Sequence, residues 1–253
     1  MPSLKDVKMK IVGVGKTKQI TRAMNMVASA KLRSSQARIE RFRPYAAKYY
    51  QVIGELAEKA SGLSHPLLMT HEDKKNCGII MITSDRGLCG GFNANIISRA
   101  MNLASEKKKE GMNVSFVCVG RKGRDAIRRS AYDLDMSFVD RMGSIDIALA
   151  IDIATPIIEK YEKMELDEVW LVYGEFVSMS HQPPRSMRLL PLTTPEVESK
   201  AGPECEYIYE PSEQKLFEHL LPRYVNVEIY RGLLDTAASE NAARMAAMDN
   251  ATR

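Results

Sequence analysis

The chain has 253 residues, 45% of them apolar and 27% charged, with a formal net charge of +4. That length suits one ordinary domain plus long appendages, and no apolar run approaches the roughly 18–20 residues that a bilayer span requires. The opening Met1-Pro2-Ser3-Leu4-Lys5-Asp6 lacks a signal-peptide core, and Cys77, Cys89, Cys118 and Cys205 form no CxxC. They read as reduced thiols of a cytosolic protein, not as disulfides or a zinc framework.

The charge is unevenly spread. Residues 1–50 carry seven Lys and five Arg against Asp6 and Glu40, a net of +10, so the rest of the chain carries −6. A basic arm of this kind either seeks an acidic surface or is simply a solvated helix face.

Residues 3–43 contain no proline, and Leu4, Val7, Ile11, Val14, Ile20, Met24 and Val27 recur at helical spacing. This predicts one long helix, continuing past Pro44 to about Ala60, with Gly13 and Gly15 as weak points costing about 1 kcal/mol each. The segment from Ser61 to Pro66 is a break. Beyond it, Ile79–Thr83, Val114–Val119 and Val169–Tyr173 read as short buried strands. They alternate with helices at about Asn95–Glu110, Lys122–Ser130 and Ile145–Met164. Such alternation predicts a mainly parallel, Rossmann-like sheet with covered faces. Glu175–Ser180 and Met187–Leu192 read as two further strands around a turn at Gln182-Pro183-Pro184. Pro191, Pro195, Gly202 and Pro203 mark a loop.

A second long helix starts near Pro211-Ser212-Glu213, with Ser212 as its expected N-cap and Pro222 expected to kink it or reset its start. Leu220, Val227, Leu234, Asn241 and Met248 lie seven apart, and Tyr224, Arg231, Ala238 and Met245 follow each of the first four by four. That is a coiled-coil seam with two polar interruptions. Two long helices leaving one side of an α/β unit must pair antiparallel. About 40 residues then give a rod of roughly 60 Å. The competing arrangement folds both helices back over the sheet. The organisation is therefore read as an N-terminal helix at 1–60, an α/β base at 75–209 and a C-terminal helix at 211–253.

Few motifs suggest catalysis. Gly13-Val14-Gly15-Lys16-Thr17 has Lys10 where a phosphate-binding loop needs its first glycine, and its context is helical. The stretch Thr83–Asn95, with Gly87, Gly90 and Gly91, lies where α/β folds place ligands, but its spacing is not GxGxxG. Cys89 has no recognisable base, and Gly120-Arg121-Lys122-Gly123-Arg124 reads as a solvated or anion-binding turn. His65, His71, His181 and His219 make no metal-spaced set, and Asp133 and Asp135 read as solvated loop carboxylates. These tests predict a non-enzyme with no cofactor and no metal.

Four segments are together similar to one family. Ile20–Arg33 resembles the N-terminal helix of the γ subunit of F-type ATP synthases, and Ser84–Asn93 resembles that family's glycine-rich turn. Leu221-Pro222-Arg223-Tyr224 with Ile229-Tyr230-Arg231 resembles the start of its C-terminal helix, and Ala238–Met248 resembles its C-terminal signature. The resemblance implies a rotor shaft of two antiparallel helices standing in a ring of α and β subunits. The base would meet the ε subunit and the membrane c-ring. The implied work is coupling of ion flow to ATP synthesis or hydrolysis at β sites, without direct membrane insertion, at the cytoplasmic face of the bacterial inner membrane. Arg22, Met24, Lys31, Arg33, Arg86, Glu240 and Arg244 are the implied contact residues. Family members usually extend the last helix further, so the resemblance implies a shaft tip missing after Arg253. H⁺ and Na⁺ coupling are not distinguished by this chain. The rival readings are a nucleotide-binding α/β module with helical dimerisation arms, and a nucleic-acid binder using the basic arm.

Overall fold

The computed structural model describes residues 3–59, 65–72, 74–193 and 213–253. Cys205, the Pro195–Pro203 loop, the Ser212 cap and most of the Ser61–Pro66 break lie outside the described residues.

Helix α1 runs unbroken over Leu4–Lys59 and helix α5 over Glu213–Thr252. A capping box starts α1. Ser3 Oγ accepts from the Asp6 amide (3.2 Å), and Asp6 Oδ2 accepts from the Ser3 amide (2.9 Å). Gly13 and Gly15 do not interrupt it, nor does Pro44. At Pro44 the packing of the next turns decides: Phe42 meets the edge of Tyr230 at 5.0 Å between ring centroids, and Ala46 is buried. Pro222, expected to kink or restart α5, lies inside a continuous helix whose neighbours Leu221 and Val225 are buried.

The pair is antiparallel, shown by contacts whose numbers fall on one helix as they rise on the other. Tyr49 Oη donates to the Leu220 carbonyl (2.7 Å), Asn25 Nδ2 to the Met245 carbonyl (2.9 Å), and the Thr21 and Thr252 hydroxyls lie 2.7 Å apart. The α1 seam is one heptad of a and d positions. Its a positions are Leu4, Ile11, Lys18, Asn25, Leu32, Ile39, Ala46 and Ile53. Its d positions are Val7, Val14, Thr21, Ala28, Ser35, Phe42, Tyr49 and Leu56. Every one from Thr21 onward is buried or half-buried, whereas residues 4–20 run past the last turn of α5 and are exposed.

The base is a five-stranded sheet in the order β3-β2-β1-β4-β5. Strands β1 (Asn76–Ile82), β2 (Asn113–Val119), β3 (Asp133–Phe138) and β4 (Glu168–Gly174) are parallel. Strand β5 (Pro184–Leu190) is an antiparallel edge. Helices α2 (Phe92–Lys109) and α3 (Arg121–Ile127) cover one face, around Ile79, Met81, Phe116 and Cys118. Helix α4 (Ile147–Glu162), capped by Asp146, shares the other face with α5, around Ile80, Ile82, Val117 and Leu171.

Two expectations fail here. Asp133 and Asp135 sit in strand β3, not in a solvated loop. Asp135 falls at the bulge where β3 slips against Phe116/Val117, and it holds Lys160 at 2.6 Å. Glu175–Ser180 forms no strand, only the isolated bridge Ser178↔His181.

The base lies along the flank of α5, which combines features of the rod and of the fold-back arrangement. Residues 232–242 of α5 are all buried, because α1 covers one side and β1, β4 and α4 cover the other. Gly232 permits this approach: a Cβ there would meet Leu171 Cδ2 at 3.2 Å and Ile82 Cδ1 at 3.3 Å.

Candidate functional site

In an open α/β sheet the ligand crevice lies at the C-terminal strand ends, where the strand order reverses. Here that point falls between β1 and β4, and the protein's own groups fill it. The Gly174 amide, at the end of β4, donates to Thr236 Oγ1 (3.3 Å), and Ser239 Oγ donates to the Gly174 carbonyl (3.1 Å). Both hydroxyls belong to α5.

The turn after β1, residues 83–91, completes the crest. Ser84 and Asn93 lock its base: the Ser84 amide donates to Asn93 Oδ1 (3.0 Å) and Asn93 Nδ2 donates to Ser84 Oγ (2.8 Å). The Asp85 carboxylate then gathers three chain segments. It accepts from the amides of Arg121 (3.0 Å), Asp140 (2.9 Å) and Met142 (3.2 Å). A carboxylate of the chain therefore takes backbone donors at the strand ends that would otherwise face solvent or a ligand. Arg121 Nη2 also donates to both carboxylate oxygens of Asp140, each at 2.6 Å, and Arg124 pairs with Asp125 at 2.7 Å. Leu88 and Gly90 hold positive φ (63° and 57°), which turns the Leu88 side chain outward, 62% exposed.

The turn is fastened to α5. Arg244 Nη2 donates to the Gly87 carbonyl at 3.1 Å and pairs with Glu240 Oε1 at 2.7 Å. Both side chains are nearly enclosed, at 12% and 11% exposed. Burial raises the Glu240 pKa, and Arg244 opposes that rise. Beside this junction α1 crosses, tied to α5 by Asn25.

The seven contact candidates divide accordingly. Arg22, Lys31 and Arg33 are exposed on α1, Arg86 is exposed on the turn, and Met24 is half-buried near the seam. Glu240 and Arg244 pair with each other where Arg244 reaches the turn, and both side chains are nearly enclosed in this chain. Sequence reasoning missed Asp85 and Asn93 as the residues that shape the turn. The available signal was a strand end followed by Ser-Asp and an Asn at the helix start, a pattern of side chains that bond local amides.

Cys89 is a buried free thiol. Burial raises its thiol pKa, and its neighbour is the Asn93 amide nitrogen at 3.1 Å. Burial likewise pushes Cys77 and Cys118 up to about 12. Among the described residues no group of three or more His, Cys, Asp or Glu could hold a metal ion. No described helix is long and apolar enough to cross a membrane.

The profile of the ATP synthase family matches residues 3–253. The ATP synthase gamma chain of Nitratidesulfovibrio vulgaris Hildenborough is 59% identical over 254 residues, covering 100% of this chain and 87% of that relative. The chain belongs to the ATP synthase gamma chain family. The gamma chain of Maridesulfovibrio salexigens is 55% identical over 255 residues, with the same coverage of each. Among solved structures, the central stalk and c-ring of Tetrahymena thermophila mitochondrial ATP synthase superposes with a TM-score of 0.69 at 25% identity. It covers 92% of this chain and 100% of that one. The rotor of Euglena gracilis mitochondrial ATP synthase shares the fold, with a TM-score of 0.60 at 17% identity, 97% of this chain and 89% of that one. As a gamma chain, the protein is the central-stalk rotor subunit of an ATP synthase. The long helices and the mainly parallel sheet are similar to those of ATP synthase central-stalk structures.

Proposed function

We propose that this chain performs no chemistry itself and transmits torque between a base gripped by the membrane rotor and a shaft that steers catalytic sites in neighbouring subunits. The observation that carries this reading is the Arg244–Gly87 clasp. It fastens the crest of the base to the shaft helix α5. A base turned from below drags the shaft with it.

What supports the absence of chemistry is how the crevice is used: Asp85 takes the Arg121, Asp140 and Met142 amides, and Thr236 and Ser239 of α5 bond the end of β4. The partners are α and β subunits around the shaft, and an ε subunit and c-ring at the base. The neighbours' descriptions as central stalk, c-ring and rotor support this reading. The complex sits at the cytoplasmic face of a bacterial inner membrane, with this chain peripheral to it. The division at 1–60, 75–209 and 211–253 then separates shaft, base and shaft. Arg22, Lys31, Arg33 and Arg86 are the outward contacts, offering positive charge to acidic loops of β. Exposed pairs contribute only about 0–1 kcal/mol each, so torque is shared among many contacts. Each orientation of the asymmetric shaft stabilises a different β conformation by differential contact.

The test is ATP-driven ion pumping in vesicles carrying an assembled synthase with the Arg22→Ala, Lys31→Ala, Arg33→Ala and Arg86→Ala quadruple variant. Pumping should fall several-fold relative to ATP hydrolysis, with nucleotide affinity of isolated β unchanged. Pumping and hydrolysis that stay in their original ratio would overturn the assignment of these contacts. Nucleotide binding by the isolated chain would overturn the whole reading.

A further inference from the structure

A cavity of about 390 Å³ opens where α1, α5 and the segment after β4 meet. Its size lies within the range of small-molecule sites, and its walls suit one, apolar with a few convergent polar groups. Phe42 comes from α1, Leu234 from α5 and Phe176 from the segment after β4. Asp235 lines the same space, only 8% exposed, and its carboxylate has no hydrogen bond among the described residues. Tyr50 and Arg231 line it too, and both lie beside Glu228.

The charges around Asp235 come from every element packed there. Arg231 on its own helix, Arg43 on α1 and Arg185 on β5 favour its ionised form, while Glu175 after β4 opposes it. Glu175 is already paired with Arg185, and Arg43 sits at the exposed rim. Despite three arginines, burial holds the Asp235 carboxyl up at about 6. Arg231 and Arg43 also line the cavity, yet the Asp235 carboxylate takes no hydrogen bond from either. A cation supplied there would meet a carboxylate with free acceptor sites and an apolar floor.

We propose that this cavity binds a lipophilic organic cation, its protonated amine on Asp235 and its aromatic or alkyl body against Phe42, Phe176 and Leu234. Such a ligand touches both helices of the shaft and the base at once. Its occupancy bears on the joint through which the Proposed function passes torque, although the binding itself does not depend on that reading.

The probes are 2-naphthylmethylamine, 2-naphthylmethanol and 2-naphthoate, three molecules of one shape and different charge. Binding to the full chain is read by saturation-transfer NMR and calorimetry at pH 7.5. The amine should bind about tenfold more tightly than the alcohol, as one charge-assisted hydrogen bond provides, and the carboxylate should bind weakest. Asp235→Asn should erase the preference for amine over alcohol while helix content stays unchanged. Ala47→Trp, which fills the mouth from an exposed position, should abolish binding of all three. The proposal is overturned if the alcohol matches the amine, if Asp235→Asn keeps the preference, if Ala47→Trp leaves binding intact, or if no probe binds.

Discussion

Arg244 on α5 donates a hydrogen bond to the carbonyl of Gly87, 157 residues earlier in the chain, which adds a polar contact to the apolar packing of the sheet against α5. The same guanidinium pairs with Glu240 one turn back, and neither side chain is more than 12% exposed. Removing one partner of a buried pair leaves the other charge without compensation, at about 3–5 kcal/mol. Arg244→Ala should therefore lower stability by that order, read by urea denaturation of the full chain. Replacing both partners with methionine should restore most of the stability, because an apolar pair of similar volume carries no unpaired charge. The Gly87 bond is still missing in that double variant, so pumping by the assembled synthase should stay impaired. Recovery of stability and pumping together would show that the clasp matters only for folding.

Asp85 gives a second prediction. Its carboxylate accepts three backbone amides from two segments, the start of α3 and the loop at 140–142. Asp85→Ala leaves those donors unsatisfied, at about 1–3 kcal/mol each where they are shielded from water. Part of that cost is recovered here because Arg121 and Asp140 are exposed. The expected loss is about 2–4 kcal/mol in denaturant, with faster hydrogen exchange at the amides of Arg121, Asp140 and Met142. Asp85→Asn keeps one acceptor and should lose about half as much. Unchanged exchange at those amides in Asp85→Ala would refute the role assigned to this carboxylate.

Much of the fold was legible because the signals were apolar and periodic. Ile79–Thr83, Val114–Val119 and Val169–Tyr173 each fall on an observed strand to within a few residues. Strand β3 was not legible, since an edge strand beginning Asp-Leu-Asp alternates weakly and its bulge breaks the period. The α1 heptad was read only in pieces, because Lys18, Asn25 and Ser35 occupy seam positions and hide the repeat. Glu240 and Arg244 are four apart on a helix, a spacing that suits an exposed pair as well as a buried one. Only the arrival of the 83–91 turn from the distant base encloses them, and no local pattern encodes that arrival.

Gly120 ends β2 at φ 93°, and a Cβ there would lie 2.2 Å from the Thr83 carbonyl oxygen. The obstructing atom is backbone of the neighbouring strand, held by the Thr83 amide bond to the Val119 carbonyl at 2.8 Å. Gly120→Ala thus combines an extended positive-φ conformation (ψ 143°) costing about 1–3 kcal/mol with a clash that only strand movement relieves. A loss of about 3–5 kcal/mol is expected in denaturant, the largest among single alanine substitutions at this chain's glycines. Gly13→Ala is the contrast. A Cβ at that position meets nothing within 4 Å, so the exposed helix should gain about 1 kcal/mol of helical propensity, read as greater helicity by circular dichroism.

Two buried aspartates set opposite limbs of the pH profile. Burial holds the Asp235 carboxyl at about 6, against 3.8 for the free group, despite the opposing pull of Arg231. The folded state therefore favours its protonated form. Its contribution is fully present below about pH 4 and is lost as pH rises through about 6. Two pKa units correspond to about 3 kcal/mol, so Asp235→Asn should stabilise the chain at pH 7 by a few kcal/mol and by little at pH 4. Asp167 behaves in the other sense. Burial raises its pKa, but the amides of Lys75 and Asn76 and the ring of His71 outweigh that and leave it lowered. Its contribution is present above pH 4 and is lost as pH falls through its folded value. Asp167→Asn should therefore weaken the chain at neutral pH and flatten the acid limb, while Asp235→Asn flattens the limb between about pH 4 and 6. Urea midpoints measured from pH 3 to 8 separate the two. If both variants shift the profile in the same direction, the electrostatics assigned to one of these carboxylates is wrong in sign.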